Sequence, residues 1–223
     1  MENSNVIFLS NVRLSFPHLT EPQKTVNQLT GSVRVSYNAE FIMPESHLGY
    51  QQFMRRFAEL AAVKGKENAP ALMQMIMADR KARCFGRGEE KVNKNTFIPF
   101  DGYAGGVYIS AGSDRQPQVI QADGSPVDPT NTMAYQALTR NMYGGCKVNV
   151  AIKPWWQSPN AEKQYGHGIR CDLVAIQFAG DDTPFGEGTP DVKGLFGAVA
   201  QTSTAAGMFG ASAAPADLPS FFK

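Results

Sequence analysis

Hydropathy along the chain predicts the element order strand, strand, strand, helix, strand, strand, which indicates a mainly β protein built on a five-stranded OB-fold barrel. Two apolar helical stripes interrupt this order, so a helical insertion is expected between strands 2 and 3, at about residues 46–83. From residue 180 onward, alternating apolar patterns disappear. The sequence therefore predicts an OB-fold domain over residues 1–179 and a disordered tail over residues 180–223.

The first strand is predicted from the alternation of apolar and polar residues, and a second strand follows it. The first carries apolar side chains at every second position up to Phe16, and Pro17 is expected to end it. A polar loop over residues 20–24 then leads to a second strand over residues 32–43.

The insertion is predicted to contain two helices. In the first, large apolar residues recur at steps of three and four between Tyr50 and Ala61, with Ser46 as N-cap and Gly65 as the end. The second is expected to begin at Pro70, because proline is favourable in the first turn of a helix.

The remaining elements are three strands and a short helix. Residues 107–111 form the third predicted strand, and residues 132–141 form the helix that follows it. The fourth strand covers residues 147–153, and the last covers residues 168–178. Between these two, Pro154-Trp155-Trp156 is expected to lie in a hairpin loop.

Charge is distributed unevenly along the chain, although the net charge is only +1. Through Phe178 there are 19 basic and 15 acidic residues, a net of +4, and beyond it 2 basic and 5 acidic residues, a net of −3. A mildly basic body with a mildly acidic tail is compatible with phosphate binding but does not require it.

Several function classes lack support in the sequence. The three cysteines and three histidines are widely spaced, so no metal site and no cofactor are expected. Carboxylates occur without a nucleophile–base pair or a phosphate loop, which disfavours an enzyme. The N-terminus lacks a signal peptide pattern and no segment is long and apolar enough to span a membrane, so a cytoplasmic protein is expected.

Two features favour binding of unpaired nucleic acid. Trp155 and Trp156 are the only two tryptophans, and they follow a strand that carries lysines. Six basic residues also fall between residues 80 and 94, where glycines predict a mobile loop that contains Phe85. The alternatives are that the indoles cap the core and that the basic residues form a solvated surface.

A family resemblance rests on five short motifs: Asn11-Val12-Arg13-Leu14-Ser15-Phe16-Pro17-His18-Leu19, Tyr37-Asn38-Ala39-Glu40-Phe41, Tyr108-Ile109-Ser110-Ala111, Tyr143-Gly144-Gly145-Cys146 and Ala175-Ile176-Gln177. Together they resemble a family of tailed-phage single-stranded DNA-binding proteins, long described only as a domain of unknown function. The resemblance implies an OB-fold body that covers single-stranded DNA during phage replication or recombination, without catalysis, in the cytoplasm of an infected bacterium.

Candidate DNA-binding residues follow from this chemistry, in which rings stack on bases and cations contact phosphates. The stacking candidates are Trp155, Trp156, Tyr108, Tyr165, Phe16 and Phe85. The phosphate-contact candidates are Arg13, Arg83, Arg87, Arg115, Lys147 and Lys153. RNA binding would use the same chemistry, and a phage structural or assembly module built on a small β-barrel, without nucleic-acid binding, is the alternative function.

The tail tip resembles the acidic, Pro-Phe-ended tails of bacterial single-stranded DNA-binding proteins, although Lys223 follows its phenylalanines. This resemblance implies docking of replication or recombination enzymes on the tail. The candidate docking residues are Asp217, Leu218, Pro219, Phe221 and Phe222.

Overall fold

The computed structural model describes residues 5–26, 31–128, 130–160 and 166–186, all within one compact unit. Its strands are β1 Ile7–Val26, β2 Val33–Met43, β3 Phe85–Arg87, β4 Val107–Ser113, β5 Gln118–Ile120, β6 Lys147–Gln157 and β7 Gly168–Gly180. Its α-helices are α1 Leu48–Gly65, α2 Ala69–Ala78 and α3 Thr132–Thr139, and 3-10 turns cover Lys66–Asn68 and Gly88–Glu90. The mainly β architecture and the helices between strands are confirmed.

The strands form one sheet in the order β3-β4-β2-β1-β6-β7-β5. Within the described ranges the sheet thus has seven strands, and the prediction of five was wrong. The two unpredicted strands, β3 and β5, have three residues each and lie at the two ends of the sheet order. Three residues are too few to establish a period of two, so the sequence carries no usable signal for them.

β1 is much longer than predicted, because it continues through Pro17 and through the segment 20–24 that was expected to be a loop. Its pairing with β2 shifts register between Ser15 and His18, and again between His18 and Gln23. Proline is tolerated at such irregularities, where its missing N–H removes no regular ladder bond. The last four residues of β1 pair with Val33–Ser36 of β2 in a two-stranded ribbon.

The helical insertion lies between β2 and the short strand β3, and so before β4, which is the strand predicted as the third. Along α1 the apolar stripe is buried, including Phe53 and Phe57. His47 is the N-cap in place of the predicted Ser46, since its imidazole accepts a hydrogen bond from the backbone N–H of Gly49. The helix ends at Gly65, and Pro70 stands in the first turn of α2, as expected.

A short segment before β3 connects two strands that are not neighbours in the sheet. Cα atoms of β4 and β7 approach within 8 Å of each other. The N–H of Ser110 in β4 donates to the carbonyl of Cys84 at 2.7 Å, and the N–H of Ile169 in β7 donates to Ala82 at 2.8 Å. The segment 82–84 therefore bridges β4 and β7.

Phe85 begins β3 and is enclosed in the core, which corrects the prediction of a mobile loop around it. Its ring is 1% exposed and meets the rings of Phe53 and Phe57 edge-on, with centroids 5.2 and 5.6 Å away. Two aromatic residues of α1 hold it there. This cluster joins the helical insertion to the sheet.

The two tryptophans lie within β6, which continues to Gln157, so the prediction of a hairpin loop at this position was wrong. Both tryptophans are paired with β7, because Trp155 lies opposite Arg170 and Trp156 lies opposite Ile169. Because side chains alternate along a strand, the two indoles point to opposite faces of the sheet. One face is the core and the other is solvent.

Residues 181–186 follow β7 and pack on the body. Phe185 donates its N–H to the carbonyl of Gly144 at 2.8 Å, and its ring lies 4.3 Å from the guanidinium of Arg13. The domain boundary predicted at 179/180 falls at the start of this packed segment. Most of the predicted tail, residues 187–223, lies outside the described residues.

Candidate nucleic-acid interface

A groove of about 1070 Å³ runs over the solvent-facing side of β2 and β4. From β2 it takes the polar series Arg34, Ser36, Asn38 and Glu40, which occupies every second position of the strand. The ends of β6 and β7 form another part of its wall, and the segment 80–94 contributes a third. We call this surface the β2–β4 groove.

Positive charge dominates the β2–β4 groove. Its basic residues are Arg34, Arg80, Lys81, Arg83, Lys91, Lys94 and Arg170, and its acidic residues are Glu40, Asp114 and Asp172. Seven cations against three carboxylates make the lining net positive, whereas the whole chain has a net charge of only +1. A polyanion is the natural ligand for such a groove.

Trp155 supplies a flat apolar surface in the wall of the β2–β4 groove. Its side chain is 38% exposed, and its Nε1–H donates to Asp172 Oδ1 at 2.7 Å. That hydrogen bond fixes the plane of the indole, because both partners lie on the paired strands β6 and β7. A fixed, half-exposed ring can stack on a nucleobase with little loss of rotamer freedom.

Trp156 points the other way. It is 8% exposed, lies nearly parallel to Phe57 with ring centroids 6.4 Å apart, and donates its Nε1–H to His167 Nδ1. The structure therefore places it in the core rather than on the predicted binding surface. The reason is the period of two along β6, which exposes only one of two neighbouring side chains.

The floor of the groove is a cluster around Tyr108. Lys91 Nζ lies 4.9 Å from the centre of this ring and also pairs with Glu40. Tyr103 donates its hydroxyl to the other oxygen of Glu40. Burial, and next the charge of Glu40, raise the pKa of Tyr108 above its ordinary value, so the phenol stays neutral. At 7% exposure, Tyr108 lines the floor but offers little ring surface.

Arg170 joins the strand wall of the groove to the segment 80–94. Its Nε donates to Gln157 Oε1 at 2.8 Å, and its Nη2 donates to the carbonyl of Lys81 at 2.7 Å. Burial lowers its pKa, and the nearby charge of Arg34 acts in the same direction. An arginine keeps its proton in spite of such a shift. The result is a positive charge held in place at the wall.

Arg83 is held mainly by the protein itself. Its guanidinium donates to Glu90 Oε2 at 2.8 Å and to the carbonyl of Phe85 at 2.7 Å, and the side chain is 7% exposed. Its buried Nε has no hydrogen-bond partner among the described residues. The side chain therefore lines the groove with one donor unused.

Three predicted residues thus line the β2–β4 groove: Trp155, Tyr108 and Arg83. Phe85 and Trp156 are core residues instead. Arg87, Arg115 and Lys153 are exposed but are not part of the groove lining. Tyr165 and the five candidate docking residues of the tail lie outside the described residues. The DNA-binding and docking roles predicted for these residues remain predictions, and burial argues against such a role for Phe85 and Trp156.

Arg13 and Lys147 lie elsewhere, at the packed segment 181–186. Asp182 Oδ2 is 3.6 Å from Arg13 Nε and 3.7 Å from Lys147 Nζ. The N–H of Thr183, followed by these two cations, lowers the pKa of Asp182. A carboxylate of the chain itself therefore pairs with both predicted phosphate contacts.

Phe16 lines a separate, smaller pocket of about 320 Å³ together with Phe100 and Phe185. Its ring is 45% exposed and meets Phe100 edge-on at 5.2 Å between centroids. The structure does not bring it together with the rings of the β2–β4 groove.

Most of the cations of the groove are not among the residues that the sequence predicts as phosphate contacts. Arg80, Lys81, Lys91 and Lys94 belong to the basic stretch 80–94, whereas Arg34 and Arg170 lie outside it. The alternation along β2 was an available signal, since Arg34 shares its face with Ser36 and Asn38. Only the fold shows that this face meets the segment 80–94.

The described part of the chain lacks two further features. It contains no group of three or more histidine, cysteine, aspartate or glutamate side chains that could hold a metal ion. None of its helices combines the length and apolar character needed to cross a membrane.

Comparisons with known proteins give a consistent result. A family model described as Enterobacter phage Enc34, ssDNA-binding protein, matches residues 5–205. Putative protein p50 of Acyrthosiphon pisum secondary endosymbiont phage 1 is 28% identical over 190 residues, which cover 84% of this chain and 90% of that protein.

Two solved structures are also similar. The single-stranded DNA-binding protein from bacteriophage Enc34 in complex with ssDNA gives a TM-score of 0.59 at 25% identity, over 82% of this chain and 91% of that chain. A further structure of that phage protein gives a TM-score of 0.58 at 25% identity, over 86% and 90% of the two chains. Since the family model spans most of the sequence, the chain belongs to the family of phage single-stranded DNA-binding proteins represented by that of Enterobacter phage Enc34.

Proposed function

We propose that the protein binds single-stranded DNA, without sequence preference, in the β2–β4 groove. The observation that carries the proposal is the combination of seven cations and the half-exposed indole of Trp155 in one groove. The similarity to an Enc34 protein solved in complex with ssDNA supports it. The biological role that follows is to cover unpaired DNA during phage replication or recombination, in the cytoplasm of an infected bacterium.

In this mechanism two kinds of contact hold the DNA strand: cations bind its phosphates, and an aromatic ring stacks on a base. Exposed cations of the groove, such as Arg34, Lys81 and Lys94, contact phosphates and release the counterions condensed on the strand. Trp155 stacks on a base, and every base offers a face of this kind. Neither interaction distinguishes one base from another, so the protein tolerates any sequence.

We assign the body to the OB-fold class on the basis of its five long strands, β1, β2, β4, β6 and β7. The helix α3 lies between the third and fourth of these, which is the position of the helix in an OB fold. The strands β3 and β5 are additions to this arrangement.

The same proposal divides the chain into a body over residues 1–179 and a tail over residues 180–223. Replication or recombination enzymes would dock on the tail.

Catalysis and a cofactor have no place in this mechanism. Glu40 is paired with Lys91 and Tyr103, and Asp172 accepts from Trp155. These two carboxylates of the groove therefore serve to orient the binding residues.

The two tryptophans allow a direct test by fluorescence. Single-stranded oligo-dT should quench the protein, and Trp155→Phe should remove most of the quenching because it removes the stacked indole. Trp156→Phe, the matched control, should retain the quenching, since this indole packs against Phe57. Trp155→Ala should weaken binding by about 1–3 kcal/mol while its thermal transition stays close to that of the unchanged protein.

The opposite pattern would remove the indole of Trp155 from the proposed interface. If Trp155→Ala binds oligo-dT with undiminished affinity, or if quenching survives in Trp155→Phe and is lost in Trp156→Phe, the stacking mechanism is wrong. A duplex of the same length should quench much less than the single strand.

A further inference from the structure

Residues 91–100 form a loop whose Lys91 and Lys94 line the β2–β4 groove, and we call it the rim loop. Its ends are joined by a hydrogen bond from the N–H of Phe100 to the carbonyl of Lys91 at 2.9 Å, and by a bridge between Val92 and Pro99. Lys91 is the same residue that pairs with Glu40 and covers the Tyr108 ring. The base of the loop is therefore fixed to the groove.

The tip of the rim loop is held in a tight turn. The N–H of Asn93 donates to Ile98 at 2.9 Å, and the N–H of Phe97 donates back to Asn93 at 2.8 Å. Asn93 Oδ1 also accepts from the N–H of Asn95 at 2.8 Å. These bonds give the tip one defined conformation.

That conformation presents a large apolar side chain to solvent. Phe97 is 78% exposed and its neighbour Ile98 is 65% exposed, although an apolar ring normally packs inside. Phe97 also has a φ of 57°, in the left-handed region that bulky residues rarely adopt. Backbone strain of this kind persists where the surrounding structure enforces it and is common at binding sites.

The rim loop contributes cations to the groove as well. Lys91 and Lys94 line it, and Lys94 is only three residues from Phe97. Trp155 offers a similar combination, because this exposed ring lies opposite the groove cation Arg170 on the paired strands β6 and β7. This combination suits a base and the phosphate next to it.

We propose that Phe97 is a second stacking residue, which holds a base of the bound strand at the rim of the β2–β4 groove, in addition to Trp155. The inference rests on the proposed function, since it extends the same bound strand to the rim loop. Single-stranded DNA then has two stacking contacts, one on the strand wall and one on the rim loop. The strain at Phe97 is the cost of holding its ring outward.

Three substitutions distinguish an effect of the Phe97 ring from an effect of its backbone conformation. Phe97→Ala and Phe97→Gly both remove the ring, but only glycine relieves the left-handed conformation. Both should weaken binding to oligo-dT on the order of 10-fold, while Phe97→Gly melts no lower than Phe97→Ala. Phe97→Trp should keep the affinity and add fluorescence that single-stranded DNA quenches.

The salt dependence distinguishes stacking from a change in charge. Because Phe97 is neutral, the slope of log affinity against log salt should be the same in the alanine variant as in the unchanged protein. Phe8→Ala is the matched control, since Phe8 is an aromatic residue that is 59% exposed and belongs to β1, whereas Phe97 belongs to the loop whose Lys91 and Lys94 line the groove. It should leave binding unaltered.

The outcomes separate the two proposals. If the unchanged protein binds oligo-dT and both ring-free variants bind it equally well, the inference about Phe97 is overturned and the proposed function stands. A loss in Phe97→Gly alone would assign the effect to backbone rigidity and would also overturn it. If the unchanged protein does not bind oligo-dT at all, the proposed function and this inference fail together.

Discussion

Phe85→Ala is expected to lower the free energy of unfolding by about 3–5 kcal/mol, because it empties the centre of an aromatic cluster. The ring is 1% exposed and contacts Phe53 and Phe57 of α1. A loss of this size is a large fraction of the stability of an ordinary domain. Denaturant unfolding, followed by far-UV circular dichroism, measures it.

The same variant tests where the ring acts. Under conditions in which Phe85→Ala is still folded, its affinity for oligo-dT should equal that of the unchanged protein. Phe16→Ala is the comparison for stability, since Phe16 is 45% exposed. This substitution should lower the free energy of unfolding by about 1 kcal/mol or less. A Phe85→Ala protein with normal stability and weakened DNA binding would show that the ring belongs to the binding surface after all.

The second large effect is expected from the charges of the groove. Replacing Arg34, Lys81 and Lys94 together with glutamine removes three exposed cations that line it. Each phosphate contact contributes about 0.7 to the slope of log affinity against log salt for a single strand. The triple variant should therefore have a slope shallower by about 2, with weaker binding at low salt.

A matched triple variant is available on the helical insertion. Arg55, Lys64 and Lys66 are exposed and do not line the groove, and their replacement with glutamine changes the net charge by the same amount. This control should keep nearly the full slope. Equal losses in the two triple variants would indicate diffuse attraction over the whole body, which would contradict a localised groove.

The long elements were predictable because their patterns repeat several times. α1 has four buried residues at helical spacing between Tyr50 and Ala61, and a stripe of that length has few alternative explanations. The strands β2 and β7 were found in the same way. By contrast, β1 was cut short at Pro17 because a proline usually ends a ladder, whereas here the register shifts beside it allow the strand to continue.

The binding surface was predictable in kind and only partly in its residues. The pair Trp155-Trp156 indicated an aromatic contact, but choosing between the two indoles required knowing that β6 continues through them. Arg34 and Arg170 are 136 positions apart in the chain, yet both line one groove, where the segment 82–84 bridges β4 and β7. Contacts of this kind depend on the fold, and no local pattern records them.

The location of the bound strand can be measured by photo-crosslinking a single-stranded oligonucleotide that contains 5-bromodeoxyuridine and identifying the modified peptides by mass spectrometry. Binding in the β2–β4 groove should give cross-links at Trp155 and in the segment 80–100, and these should be lost when unlabelled single-stranded DNA competes. Cross-links confined to α1 and α2, or to the Phe16 pocket, with none in the β2–β4 groove, would contradict it.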